Sequence, residues 1–298
     1  MKNFEYFAPN TLQEGLSLLD NYQQKAKILA GGTDLIAQMR AGRVQPAVII
    51  DVKRIPELNR LAWSADKTLH IGAAVPISTI VGFPYFMQRF SMLYQGCSLI
   101  GSTRIRNRAT IGGNVCNAAP SADSAPALLC LGAKAVLAQC TGTRVVPLDS
   151  IFRGPGKISL APNELLMEIE IPVPPTHSAG CYLRHTPRDE MDIAVVGVAA
   201  FLVLSPHSKV CREARIAVGA VAPTPIRVPQ AETLLSGKKL NNEDIEMTAE
   251  KVAESASPIS DIRSSAEYRK ELLKILTRRT LEEACESLNI QILAENEL

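Results

Sequence analysis

Two short glycine-bearing segments carry the residue types that could do chemistry in this chain: Ala30-Gly31-Gly32-Thr33-Asp34 and Thr110-Ile111-Gly112-Gly113-Asn114, about eighty residues apart. Glycine has no Cβ, so successive backbone N–H groups can close around an anion as a concave nest. A helix starting just after such a turn adds its positive end, and threonine hydroxyls add donors. That combination suits a pyrophosphate held without a lysine. Each pair, taken alone, reads more readily as a tight turn that needs positive φ. Neither is a G-x-G-x-x-G fingerprint, and G-x-x-x-x-G-K-[ST] is absent, so Rossmann and P-loop readings lose weight. The second segment runs on through Cys116 to Ser121-Ala122-Asp123. Asp123 could accept hydrogen bonds from a ribose or an adenine, or cap a helix over 125–131.

The elements that must position these residues follow from pattern and punctuation. Residues 11–24 read as an amphipathic helix, with Thr11 as N-cap and Glu14 three residues on. Lys27–Ala30 reads as a strand and residues 35–40 as one or two helical turns, which places the first pair at a strand-to-helix junction. Further strands are expected at 48–52, 69–73 and 134–139. Helices are expected at 85–100 and 125–131, with a loop over 102–108. Its arginines, Arg104, Arg106 and Arg108, read either as a phosphate-binding stripe or as solvent- and partner-facing side chains; the second is preferred. Three prolines within 172–175 suggest a boundary. Beyond it, long strands are expected at 192–204 and 215–221, and helices from about 241.

The whole chain has 298 residues, 46% of them hydrophobic and 21% charged, with a net charge of +2. That is an ordinary globular composition, long enough for roughly two domains of ~150 residues. It offers no basic field for nucleic acid. Residues 240–298 hold 7 basic and 13 acidic side chains, net −6, so the rest of the chain carries +8. Seven cysteines, the nearest two ten residues apart, contain no C-x-x-C and exclude a sequence-local zinc knuckle or iron–sulfur loop. No secretory h-region and no apolar stretch of membrane-spanning length is present, so the expectation is a cytoplasmic protein with no membrane contact.

Read together, Leu29–Leu35, Ile105–Asn114, Ser121-Ala122-Asp123 and Arg188-Asp189-Glu190-Met191-Asp192-Ile193-Ala194 resemble the FAD-binding medium subunits of the molybdenum hydroxylases, closest to the bacterial xanthine dehydrogenase type. The resemblance covers essentially the whole chain. It implies an α+β protein: a vanillyl-alcohol-oxidase/PCMH-type FAD-binding fold of two α/β subdomains over 1–175 (about 1–55 and 56–175). A C-terminal α/β domain of the CO dehydrogenase flavoprotein type, with three strands and a helix bundle, would occupy 176–298. It further implies cofactor contacts at Leu29, Ala30, Gly31, Gly32, Thr33, Asp34 and Leu35. In the second segment they fall at Thr110, Gly112, Gly113, Asn114 and Cys116. Asp123 is implied at the adenosine end, Ile105 along the cofactor, and Leu165 and Leu166 at the isoalloxazine, although these two also read as core. Arg184 stands where relatives often carry a lysine near the flavin; a surface cation is the other reading. Ile100 and Gly101 stand where animal relatives place an aromatic against the ring. The loop from His185 to Asp192 is implied as a gate over the flavin.

No residue is assigned as a catalytic acid or base, and none as a metal ligand. By resemblance, the work is electron exit: FAD takes electrons from [2Fe–2S] clusters of a small partner subunit and passes them to NAD⁺. The molybdenum cofactor lies on a large partner subunit, in a heterotrimer that can dimerise. The alternatives are the FAD subunit of a carbon monoxide, nicotinate or aldehyde dehydrogenase, or a standalone flavin oxidase.

Overall fold

The computed structural model describes residues 3–188 and 191–290. The chain packs as two compact units that interleave along the sequence. The first takes the chain up to Phe83, then Gly101–Ala118 and Gly132–Pro172. The second takes Pro84–Ile100, Ala119–Leu131 and the described residues from Val173 on.

The first unit opens with a three-stranded sheet of β1 (Glu5–Phe7), β2 (Ala26–Leu29) and β3 (Val48–Asp51), ordered β1-β3-β2 and parallel throughout. All four residues of β3 are buried, as the central strand of a parallel sheet requires. The helix Leu12–Tyr22 connects β1 to β2. Thr11 caps it by accepting from the Glu14 amide at 3.2 Å, and Leu16 and Leu19 turn inward. These leucines join Val48, Ile50, Ile55 and Leu58 in one core.

A second sheet of the same unit holds β4 (Leu61–Trp63), β5 (Thr68–Gly72), β6 (Lys134–Gln139), β7 (Gly142–Pro147) and β10 (Leu165–Pro172) in the order β4-β5-β10-β6-β7, all antiparallel. The short hairpin β8 (Phe152–Gly154) and β9 (Lys157–Ile158) lies between β7 and β10 in sequence. Alternation along β5 and β10 sends Leu69, Ile71, Ile169 and Ile171 into the core and leaves His70, Glu168 and Glu170 on the opposite face.

The second unit is an antiparallel sheet, β11 (Ser178–His185), β12 (Val196–Leu204), β13 (Cys211–Gly219) and β14 (Ile226–Arg227), ordered as numbered. Every residue of β12 is buried, so both faces of this strand are covered. The helices Ser91–Ser98 and Ser124–Cys130 pack on this sheet, as do Pro229–Leu235 and the long Ala266–Ser287. Asn242–Glu254 packs against the last two.

The elements differ from expectation at six places. The helix expected over 85–100 is two, Phe86–Arg89 and Ser91–Ser98, because Phe90 leaves helical backbone (φ −131°, ψ 47°) as it buries beside Phe86. The loop expected over 102–108 contains a helical turn, Thr103–Arg106, which Ser102 caps. The second glycine pair lies inside a helix, Ile111–Asn117. The strand expected from 192 starts at Val196, and the one expected over 215–221 runs from Cys211 to Gly219. The C-terminal sheet has a short fourth strand beyond the three expected, formed where Pro225 redirects the chain and Ile226 pairs back onto Val218. No helix among the described residues is long and apolar enough to cross a membrane.

Candidate functional site

The first glycine segment leaves the end of β2. Leu29 stands opposite Asp51 in the parallel register, and its carbonyl accepts from the Val52 amide at 3.1 Å. Ala30, half-buried, packs on the core of the sheet. The turn then closes with the Ile36 amide on the Gly32 carbonyl at 3.0 Å, and Leu35–Arg40 is helical. Gly32 has φ +76°, in the left-handed region that glycine enters without a Cβ penalty. Gly31 is required for another reason: a Cβ there would stand 2.1 Å from the Arg108 carbonyl oxygen. That contact brings the segment after β2 against the residues that lead into the second glycine pair. A side-chain bond ties them again, Gln38 Nε2 donating to Asn117 Oδ1 at 3.1 Å.

Among the described residues, no hydrogen bond runs from the amides of Gly32, Thr33 or Asp34 to another part of the chain. Backbone N–H groups in a glycine turn that are not used by the fold are what a pyrophosphate needs. Asp34 is exposed, and Thr33 and Leu35 are half-buried. The expected contribution of helix ends is small here, since the two helices have only six and seven residues. Amides and hydroxyls, not a macrodipole, are the available donors.

The second segment is built differently from the first. Thr110, 3% exposed, caps the helix Ile111–Asn117: its Oγ1 accepts from the Gly113 amide at 2.9 Å, and its carbonyl accepts from Asn114 at 3.0 Å. An isolated bridge pairs Thr110 with Pro76, and the Ala109 carbonyl accepts from Ile77 at 2.8 Å. Gly112 faces inward. Its Cβ would fall 2.6 Å from both the Cβ and the carbonyl oxygen of Ala73. The reading of this pair as a tight turn needing positive φ is therefore corrected. Both glycines are helical, and Gly112 is small so that the helix can lie on the Ala73 backbone. Gly113 is half-buried, and a Cβ there would meet only the Thr110 hydroxyl oxygen, at 3.0 Å.

The remaining expected positions divide by unit. In the first unit, Ile105 is half-buried and packs on Gly101, which has φ +50° and whose Cβ would lie 2.9 Å from that of Ile105. Cys116 is half-buried, and burial pushes its thiol up to about 12. Leu165 and Leu166 are buried at 4% and 3%, with Leu165 in the core of the first sheet. In β10 both are paired to β6, while the pairing to β5 begins only at Glu168. Arg104 and Arg108 are exposed, and Arg106 donates weakly to the Gly101 carbonyl and to Thr103.

In the second unit, Ile100 is half-buried at the end of the helix Ser91–Ser98. Asp123 precedes the helix Ser124–Cys130 but makes no side-chain capping bond. Its carboxylate is used elsewhere: Oδ2 accepts from Arg184 Nη1 at 2.6 Å and Oδ1 from the Tyr182 hydroxyl at 2.8 Å. The Arg184 side chain is only 5% exposed, so it is a buried ion-pair partner and not a surface cation. Burial pushes the Asp123 carboxyl upward, against the pull of Arg184 and Tyr182. Burial likewise drives the Tyr182 phenol well above its ordinary value. Tyr182 is a residue the sequence reading missed. Its signal was the two-residue spacing to Arg184, which puts both on one face of a strand. The expected gate, His185 to Asp192, includes Asp189 and Glu190, which lie outside the described residues. Of the rest, Arg188 pairs with Asp192 at 3.3 Å.

Comparison with known proteins adds to this geometry. The family model for the FAD binding domain in molybdopterin dehydrogenase matches residues 2–174. The model for the CO dehydrogenase flavoprotein C-terminal domain matches residues 182–284. The chain is 35% identical to the xanthine dehydrogenase FAD-binding subunit of Escherichia coli O157:H7, over 94% of this chain and 95% of that one. It is 34% identical to the nicotinate dehydrogenase FAD-subunit of Eubacterium barkeri, over 91% and 92%. Among solved structures, a chain of the carbon monoxide dehydrogenase from Hydrogenophaga pseudoflava superposes with a TM-score of 0.91 at 31% identity, covering 96% of this chain and 98% of that one.

Proposed function

The chain belongs to the FAD-binding medium subunits of the molybdenum hydroxylase family, and from that premise we propose that it is the electron-transfer subunit of a xanthine-dehydrogenase-type hydroxylase. In this reading residues 1–175 are the FAD-binding part, with subdomains at about 1–55 and 56–175, and 176–298 are the C-terminal flavoprotein domain. The partners are a large subunit with the molybdenum cofactor and a small subunit with [2Fe–2S] clusters, and NAD⁺ is the electron acceptor. The assembly is cytoplasmic.

The observation that carries the cofactor assignment is the docking of Gly31 on Arg108, which joins the two glycine segments and leaves the amides of Gly32, Thr33 and Asp34 for a ligand. Those amides, with Leu29, Ala30 and Leu35 behind them, would hold the pyrophosphate of FAD. Thr110, Gly113, Asn114 and Ile105 would flank the ribityl chain, and Gly112 and Cys116 would shape the helix that presents them. Asp123 would bind the adenosine end. The backbone at Leu165 and Leu166, whose side chains are in the core, would approach the isoalloxazine; Ile100 and Gly101 would be further cofactor contacts, as would Arg184 through its ion pair with Asp123. When bound, FAD supplies exchange between one-electron carriers and a two-electron acceptor; the protein contributes binding, orientation and electrostatics. None of its side chains need act as a general acid or base.

The xanthine assignment is supported by the 35% identity to the xanthine dehydrogenase subunit. A nicotinate dehydrogenase is the second reading, supported by a relative at 34%. The test is purification of the native complex through a tag on this chain. The proposal expects flavin and iron–sulfur absorbance, molybdenum by elemental analysis, and xanthine-dependent reduction of NAD⁺. A complex that turns over nicotinate and not xanthine replaces the first reading with the second. A chain that refuses added FAD sinks both.

A further inference from the structure

Within the second unit, Asp123 is held from three directions. Arg184 Nη1 donates to Oδ2 at 2.6 Å, and the Tyr182 hydroxyl donates to Oδ1 at 2.8 Å. Its backbone is fixed as well: a Cβ on Gly96 would stand 2.6 Å from the Asp123 carbonyl oxygen, so the helix Ser91–Ser98 touches it directly. The terminal torsion of an aspartate is otherwise broad and nearly two-fold. One donor on one oxygen would leave the other free to swing, whereas two donors on two oxygens fix the carboxylate plane. An ionised carboxylate accepts about four hydrogen bonds, so two lone-pair directions remain for a ligand.

Tyr182 is itself built in. It is 2% exposed, and its amide donates to Gln95 Oε1 at 2.8 Å. On the neighbouring strand β12, Gly197 stands opposite Arg184 and diagonal to Tyr182. A Cβ on Gly197 would lie 2.6 Å from the Tyr182 hydroxyl oxygen and 3.3 Å from its ring. In a strand whose other residues are mostly valine, alanine and leucine, this glycine clears the space the hydroxyl fills.

We propose that Tyr182 is a positioning residue that locks the Asp123 carboxylate as a fixed acceptor for a hydroxyl or N–H of FAD, and that Gly197 is the small residue that makes room for it. This rests on the reading of Asp123 as a cofactor contact. The titratable and charged groups facing Asp123 are Arg184 and Tyr182 from β11 and Cys97 from the helix Ser91–Ser98. Burial pushes the Cys97 thiol up to about 12 and the Tyr182 phenol well above its ordinary value. Neither therefore titrates near neutrality, while burial raises the Asp123 carboxyl above its ordinary value.

The experiment is FAD titration of the full-length chain across pH, for wild type, Asp123→Ala, Tyr182→Phe and Gly197→Ala, with a thermal melt of each. Tyr182→Phe keeps the ring and removes only the hydroxyl. It should weaken FAD by about tenfold, the scale of one hydrogen bond to a charged group. It should also move the acid-side loss of affinity to higher pH, because the hydroxyl that holds the carboxyl down is gone. Gly197→Ala, which displaces the hydroxyl without touching residue 182, should shift both in the same direction by a smaller amount, and it decides the matter if Tyr182→Phe does not fold. Asp123→Ala that binds FAD like wild type overturns the underlying reading and this proposal with it. Asp123→Ala that loses FAD while Tyr182→Phe and Gly197→Ala bind like wild type overturns the positioning role alone. A loss in Tyr182→Phe that is the same at every pH also overturns it, since packing damage has no reason to follow the charge on Asp123.

Discussion

The Gly31 backbone lies directly against that of Arg108, so closely that a Cβ at position 31 would stand 2.1 Å from the Arg108 carbonyl oxygen. Residues far apart in sequence thereby become two walls of one feature. The first wall supplies amides from a turn, and the second supplies a helix capped by Thr110. The approach is backbone on backbone, so no rotamer change can relieve an added methyl group.

Gly31→Ala should therefore destabilise the chain by about 2–3 kcal/mol, the upper end of overpacking costs, and strip it of FAD. Gly42→Ala is the control. Gly42 also has a positive φ, +70°, but a Cβ there meets nothing within 4 Å. It should cost about 1 kcal/mol of backbone strain and keep the flavin. Denaturant midpoints and flavin absorbance of the purified variants check this. Equal behaviour of the two variants would remove the packing explanation.

The Ala73 backbone leaves no room for a side chain at Gly112. Gly112→Ala should lower stability by about 1–3 kcal/mol even with no FAD present. Adding Ala73→Gly should recover only part of the loss, because the Ala73 carbonyl oxygen and Cα, at 2.6 and 2.7 Å from the new Cβ, remain in place. Denaturation of the apo chain separates the cases. Full recovery in the double variant would mean that the Cβ-to-Cβ clash is the whole effect.

What could be read in advance tracks how local the cause is. Thr11 with Glu14, the strand before Gly31 and the proline-rich end of β10 are set by neighbouring residues, and their patterns were visible. Gly112 looked like a turn residue because glycine pairs usually are. Its true reason is Ala73, a partner that sequence spacing does not point to. Asp123 looked equally like a helix cap or a ligand contact. The strand that takes up its carboxylate lies some sixty residues further on, and Tyr182 stood out only once β11 was seen to place it beside Arg184. Likewise Phe90 broke an expected helix through burial with Phe86, which no periodicity count registers.

The seven cysteines are all free, and Cys140 alone is exposed. Burial pushes the thiols of Cys97, Cys116 and Cys285 up to about 12 and that of Cys211 up to about 11. Cys130 and Cys181 are driven upward for the same reason. Since the thiolate is the reactive form, an alkylating reagent should label Cys140 quickly and the other six only on unfolding. Peptide mass spectrometry after a timed pulse reads the sites. Early labelling of Cys116, next to the proposed ribityl wall, would show that the helix Ile111–Asn117 opens in the apo chain.

Glu164, 6% exposed, anchors the segment that enters β10 just before Leu165 and Leu166. Arg144 Nε donates to its Oε1 at 2.6 Å and Nη2 to its Oε2 at 2.8 Å, and the Ala161 amide adds a bond at 2.7 Å. The Arg144 hydrogen bonds hold the Glu164 carboxyl below its ordinary 4.5, with burial working against them. A carboxyl depressed in the folded state stabilises the fold above its unfolded value and loses that contribution as pH falls through the folded value. Arg144→Leu should thus cost about 1–3 kcal/mol at neutral pH, less than a fully buried pair because half of the Arg144 side chain meets solvent. The gap between wild type and variant should narrow as acid protonates Glu164. Urea denaturation of both proteins across pH measures it. A gap that stays constant below 4.5 would assign the loss to packing by the arginine stem and not to the ion pair.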